Sequence, residues 1–98
     1  MVRLNWTEIA LNDINEIYDF IAKDSKFYAK NVVGAIRKKV KIVKKHPKIG
    51  RIIPEINIEN YREIFQWNYR IMYKIVGEDI YILSIYHGAR DFNRDKIE

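Results

Sequence analysis

The sequence predicts an α+β fold of two layers, a helical hairpin packed on a small, antiparallel-dominated sheet in the order β-α-α-β-β-β. Three observations carry that expectation. Two β-branched and aromatic runs, 69–76 and 80–86, flank the polar turn Gly77-Glu78-Asp79. Two stretches with helical spacing of apolar residues fill most of 8–46, and a short, weakly alternating segment precedes them. At 98 residues the chain is expected to form one domain, 1–98, large enough for a single core.

Taken in order, residues 2–6 read as an edge strand. Thr7 is placed to cap the first helix, and Glu8 puts an anion in its first turn. Ala10, Ile14, Ile17 and Ile21 form the apolar stripe, broadened by Ile9, Tyr18 and Phe20, which assigns Asp13, Glu16, Asp19 and Lys23 to the wet side. Asp24-Ser25 interrupts the pattern, and Ser25 can cap a second helix running to about His46. Its apolar face is Ala29, Val32, Val33, Ile36, Val40 and Val43, while Lys30, Arg37, Lys41, Lys44 and Lys45 gather on a flank away from it. Pro47 ends this helix. Residues 47–60 form a loop expected to be ordered, because Ile49, Ile52, Ile53, Ile56 and Ile58 need burial. Tyr61–Gln66 supplies another strand, turning at Trp67-Asn68 into the central hairpin. The polar tail after Gly88 predicts no more than a turn or a frayed helix.

Composition narrows the chemistry. The absence of cysteine removes disulfides, thiolate metal sites and a Cys nucleophile, and two histidines make a structural zinc site a poor fit. No cofactor is expected. There is no long apolar run and no secretory leader pattern, so a cytoplasmic protein without membrane partners is expected. The net charge of +5 is unevenly placed, since residues 37–51 hold eight cations and no acid. Such a block suits a polyanionic or acidic partner, with Arg37, Lys41, Lys44, Lys45, Lys48 and Arg51 as its contacts.

Parity along the central hairpin decides which basic residues share a face. A two-residue turn at Gly77-Glu78 pairs 75 with 80, 73 with 82 and 71 with 84, and gathers the isoleucines on one side. Arg70 then shares the opposite face with Leu83, Ile85 and His87; a three-residue loop separates Arg70 from His87. At the preceding turn, two residues pair Arg62 with Tyr73 and turn it away from Arg70, whereas three bring them together. With the helices on one face, the other is expected to lie open.

The residues Arg51, Glu55, Arg62, Arg70, His87 and Arg90 are of the types that metal-free RNA cleavage requires. A base takes the 2′-hydroxyl proton, an acid protonates the leaving oxygen, and cations hold the phosphorane charge. Glu55 or His87 suits the proton transfers and the arginines suit the clamp. Each also has a structural account: Arg70 can pair with Glu63, and Arg90 can pair locally with Asp91 or Asp95.

WTEIALNDINEIYDFI, HPKIGRIIPE, YREIFQWNYRIMYKI and ILSIYHGARDF, in this order and spacing, resemble the RelE/ParE superfamily of type II toxin-antitoxin toxins over almost the whole chain. The resemblance implies a helical hairpin on a small antiparallel sheet with the first strand beside the last. It also implies a toxin neutralised by a cognate antitoxin in a hetero-oligomer. HPKIGRIIPE and HGARDF look more like the ParE branch, which acts on DNA gyrase. Arg70 falls where RelE-like ribosome-dependent mRNA endoribonucleases carry a catalytic arginine, and Glu55 and His87 lie near their acid-base positions. The chain departs from that pattern where such nucleases end in tyrosine, having Phe92 instead. A non-toxic binding module with the same fold is the remaining alternative.

Overall fold

The structure, a computed structural model, describes residues 1–88. The chain runs β1 (Arg3–Trp6), α1 (Glu8–Ala22), α2 (Lys26–Lys45), β2 (Arg51–Ile52), β3 (Tyr61–Gln66), β4 (Tyr69–Val76) and β5 (Asp79–His87). The sheet order is β1-β5-β4-β3-β2, with β1 parallel to β5 and every other pair antiparallel. The first strand therefore lies beside the last, as anticipated.

Capping sets the helices. Thr7 accepts a hydrogen bond from the Ala10 amide at 3.2 Å, and Ser25 accepts one from Tyr28 at 3.1 Å. Only residues 23–25 separate the helices, so they fold back on each other and present one joint apolar surface. Ala10 and Ile14 of α1 and Val32, Ile36, Val40 and Val43 of α2 pack on Ile71, Tyr73, Ile80, Ile82 and Ile85 of the sheet. This is the main core.

Both hairpin turns contain two residues, since Gln66 pairs with Tyr69 and Val76 with Asp79. Only the first residue of each turn has positive φ, Trp67 at 51° and Gly77 at 58°, the pattern of a type II′ turn. Gly77 meets that requirement without strain; Trp67 adopts it as a bulky residue.

The register expected for the central hairpin holds at Ile75 with Ile80 and Tyr73 with Ile82, and then breaks. Beyond a β-bulge, Met72 pairs with Ser84, Ile71 with Ile85, Arg70 with Tyr86 and Tyr69 with His87. Leu83 is the inserted residue. A one-residue slip reverses the facing of everything beyond it, so Ile85 joins the isoleucines against the helices and His87 follows Ile85.

Distant groups hold the bulge. The Thr7 hydroxyl donates to the Ile82 carbonyl at 2.6 Å, and the Asp13 carboxylate accepts from the Ser84 hydroxyl at 2.7 Å and the Ile85 amide at 3.0 Å. Asp13 is consequently buried, not on the wet side of α1 as its residue type implied. It supplies acceptors where the interrupted ladder leaves donors unmet.

The second face of the sheet is only partly open. Ile53 and Ile56 of the loop after β2 pack with Met72, Tyr86, Tyr61 and Leu83 in a second small cluster. Ile49, Ile52 and Ile58, expected to be buried with them, are exposed. The buried Tyr73 reaches the base of this loop, donating to the Pro47 carbonyl at 2.6 Å and accepting from the Gly50 amide at 3.0 Å. A Cβ at residue 50 would lie 2.5 Å from the Glu63 carbonyl oxygen, so only glycine fits there.

Candidate functional site

The partly covered face carries a chain of alternating charges. Arg51 Nε donates to Glu63 Oε2 at 2.6 Å, and Arg70 Nε donates to Glu63 Oε1 at 2.8 Å. Arg70 then forms a two-pronged pair with Glu55 through Nη1 at 3.0 Å and Nη2 at 2.9 Å. Strand pairing explains the order: Glu63 is opposite both Arg51 and Met72, so its side chain points between β2 and β4 beside Arg70. The Glu63 side chain is fully buried and that of Arg70 is 12% exposed, while Arg51 and Glu55 form the wetter ends. The Arg51 guanidinium lies 5.4 Å above the Phe65 ring.

Glu55 and Arg70 set each other's protonation. The hydrogen bond from Arg70 holds the Glu55 carboxyl below its ordinary value against the opposing effect of burial. Glu55, followed by Glu63, raises Arg70 in return. Arg70 is therefore a fixed cation whose donors point at protein carboxylates.

His87 lies elsewhere. It pairs across the ladder with Tyr69, their rings edge to face at 5.5 Å, and both line a cleft of about 400 Å³ with Asp13, Glu16, Ile17, Phe20 and Ile85. Arg70 and His87 thus point to opposite sides of the sheet, and the expected shared basic site is not formed. The reason is the bulge at Leu83. Arg62 also turns away from Arg70, pairing with Tyr73. Its guanidinium donates to the backbone carbonyls of Gly50 at 2.9 Å and Glu59 at 3.0 Å, securing both ends of the loop. Arg90 lies outside the described residues. Of the six residues suited to RNA chemistry, the face unites Arg51, Glu55 and Arg70 and separates Arg62 and His87 from them.

The cleft residues Asp13, Glu16, Phe20 and Tyr69 were not anticipated. Asp13 did carry a signal: it stands three residues after Ala10 and four before Ile17, the spacing of the apolar stripe itself. Arg37, Lys41, Lys44, Lys45, Lys48 and Arg51 are all exposed. Arg37 rests 5.1 Å over the Trp6 ring and Lys48 approaches Glu59 at 3.5 Å.

A helical hairpin on a five-stranded sheet, with its first strand beside its last and a basic second helix, is the architecture anticipated for the RelE/ParE superfamily of small toxins. The family model described as the ParE toxin of the type II toxin-antitoxin system parDE matches residues 4–92, and the chain belongs to that family. Among solved structures it is similar to a chain of the chromosomal ParDE TA system from P. aeruginosa, with 26% identity and a TM-score of 0.73 over 89% of this chain and 96% of that one. The YoeB dimer from Staphylococcus aureus aligns at 18% identity and a TM-score of 0.59, covering 88% of this chain and 97% of that one. A chain of the YoeB-YefM complex from the same organism aligns at 17% identity and a TM-score of 0.56, covering 89% of this chain and 98% of that one. The YoeB likenesses show a shared fold. No curated protein sequence matches significantly. No helix among the described residues is long and apolar enough to cross a membrane.

Proposed function

We propose that this ParE-family toxin acts in the cytoplasm on DNA gyrase and is held inactive by a cognate antitoxin in a hetero-oligomer. The observation that carries the choice of target is the state of Arg70. In a nuclease this guanidinium would have to meet a scissile phosphate, but here Glu63 and Glu55 take its donors and the imidazole of His87 lies across the sheet. Among the described residues, an acid, a base and a clamp do not converge on one surface. The basic flank of α2 instead offers a long cationic surface for contact with a partner or target.

The purified chain is expected to inhibit gyrase supercoiling and to trap cleaved DNA in vitro. Intact supercoiling at saturating toxin, together with codon-positioned cuts in ribosome-bound mRNA, would overturn the proposal. One feature favours the nuclease reading: Glu55 and Arg70 sit side by side on the half-open face, where a substrate phosphate could exchange with the carboxylate. Arg70→Ala separates the two readings. Nuclease action requires loss of mRNA cleavage in a folded variant, whereas gyrase inhibition is expected to survive wherever the fold survives.

A further inference from the structure

We infer that the exposed face of α2 is a docking surface for duplex DNA, gripping the phosphate backbone without reading sequence. Between Ser25 and Pro54 the chain has no acidic residue and ten of its eighteen lysines and arginines; the other eight are set against all thirteen acids. The protein is therefore bipolar, and its modest net charge hides one strongly positive element.

The fold concentrates this charge further. Lys30, Arg37, Lys41, Lys44 and Lys45 are exposed on one side of α2, and among the described residues no cation of the helix forms an ion pair. The acids of α1 are next door in the helical hairpin, yet none reaches across. Arg37 with Lys41 and Lys41 with Lys45 are like charges one helical turn apart, and each pair weakens the helix. A solvated face chosen for stability would interleave acids at these positions.

Geometry favours a duplex over other polyanions. From Lys30 to Lys45 the row spans about 22 Å at a rise of about 1.5 Å per residue. Over that length one DNA strand presents about six phosphates, at about 3.4 Å of axis each. The face from Lys30 to Lys48 carries no Phe, Tyr or Trp. Grooves that hold single strands rely on rows of aromatic platforms for unstacked bases; beside this row, among the described residues, stand Phe27, a turn before Lys30, and Trp6, whose ring is already covered by Arg37. Straight, cationic and without a row of stacking groups, it matches the outside of a paired helix.

The choice of DNA over other duplexes rests on the gyrase reading above, and the assay keeps the two apart. Fluorescence anisotropy of a labelled random-sequence DNA duplex, titrated with the purified chain across a salt series, is expected to show binding of about 10⁻⁴ to 10⁻⁶ M that weakens steeply with salt. The combined change Lys41→Ala, Lys44→Ala and Lys45→Ala should lower the slope of log K against log salt by about 0.9 per lysine and weaken low-salt binding at least tenfold. Circular dichroism and Tm check that the variant is folded. Lys74→Ala, on the far face over Tyr61, should leave duplex binding essentially as it was. The inference is overturned if low salt gives no duplex binding, if the triple variant keeps the wild-type slope, or if single-stranded DNA, duplex RNA or poly-glutamate binds more tightly than duplex DNA. A chain that inhibits gyrase but binds no duplex ends this inference alone. One that binds duplex but leaves gyrase untouched ends the gyrase reading alone.

Discussion

Among the described residues the two faces of the sheet each bury one carboxylate, and they do so in different company. Against the helices, Asp13 is 5% exposed and receives a hydroxyl and a backbone amide from the bulged strand. On the opposite face, Glu63 is 1% exposed and stands between the guanidiniums of Arg51 and Arg70. Asp13 completes the hydrogen bonding of an irregular strand and is set within the main apolar core. Glu63 neutralises charge, so the face it organises has fewer apolar contacts and depends on opposed ions staying paired. A buried acid can thus serve geometry or electrostatics, and deletion of each should fail differently.

The largest effect is expected at Glu63. Glu63→Ala leaves Arg70 buried without the carboxylate that its Nε addresses and releases Arg51 from β3. Breaking a buried ion pair by removing one partner costs about 3–5 kcal/mol, much of it the penalty of the cation left behind. Urea unfolding should report this loss. The double change Glu63→Leu with Arg70→Leu should recover a large part of it, because paired charges are often replaceable by packed apolar groups. If the single variant is as stable as the wild type, the charge chain contributes nothing and Ile53, Met72 and Tyr86 alone hold this face.

Next comes Asp13→Ala, expected to cost about 2–3 kcal/mol by stranding the Ser84 hydroxyl and the Ile85 amide. Its signature should be local. Amide exchange at Ile85 and its neighbours should accelerate before the rest of β4 and β5 does, because the bulge loses its acceptor. Uniform acceleration throughout the sheet would mean that Asp13 supports the core generally and has no particular hold on the bulge.

How much of this was legible in the sequence follows from where each determinant lies. Both helix caps, the two-residue turn at Gly77-Glu78 and the strands Tyr61–Gln66 and Tyr69–Val76 were readable, since each is specified by neighbouring residues, whereas the length of the turn at Trp67-Asn68, and with it the facing of Arg62, was not. Nor was the bulge. Its supports are Thr7 and Asp13, some 70 residues away from β5, and no periodicity within β5 marks Leu83 as the inserted residue. That one insertion moved His87 to the other face and dissolved the expected pairing with Arg70. The short strand β2 was also missed, because two residues inside an isoleucine-rich loop show no alternation. The partner choice of Arg70 lay between: Glu63 was visible as a cross-strand possibility, but Glu55 required the loop to fold over the sheet.

The smallest effect sharpens the contrast between ionic and apolar hold on that loop. Glu55 is partly exposed, and its carboxyl is held below the ordinary value first by the hydrogen bond from Arg70. A depressed folded-state value means that the contribution is fully present above the unfolded carboxylate pKa of about 4.3 and is lost as pH falls through the folded value. Solvent screening keeps it small, below about 1 kcal/mol at neutral pH. Glu55→Gln should therefore be slightly less stable than the wild type from pH 7 to about 5, with the gap closing below about 4.3 as the wild type loses the same interaction. Urea midpoints across that range measure it, and added salt should narrow the neutral-pH gap. The absence of any gap at neutral pH would assign the loop's attachment to Ile53 and Ile56, leaving the Arg70 pair as a contact without energetic weight.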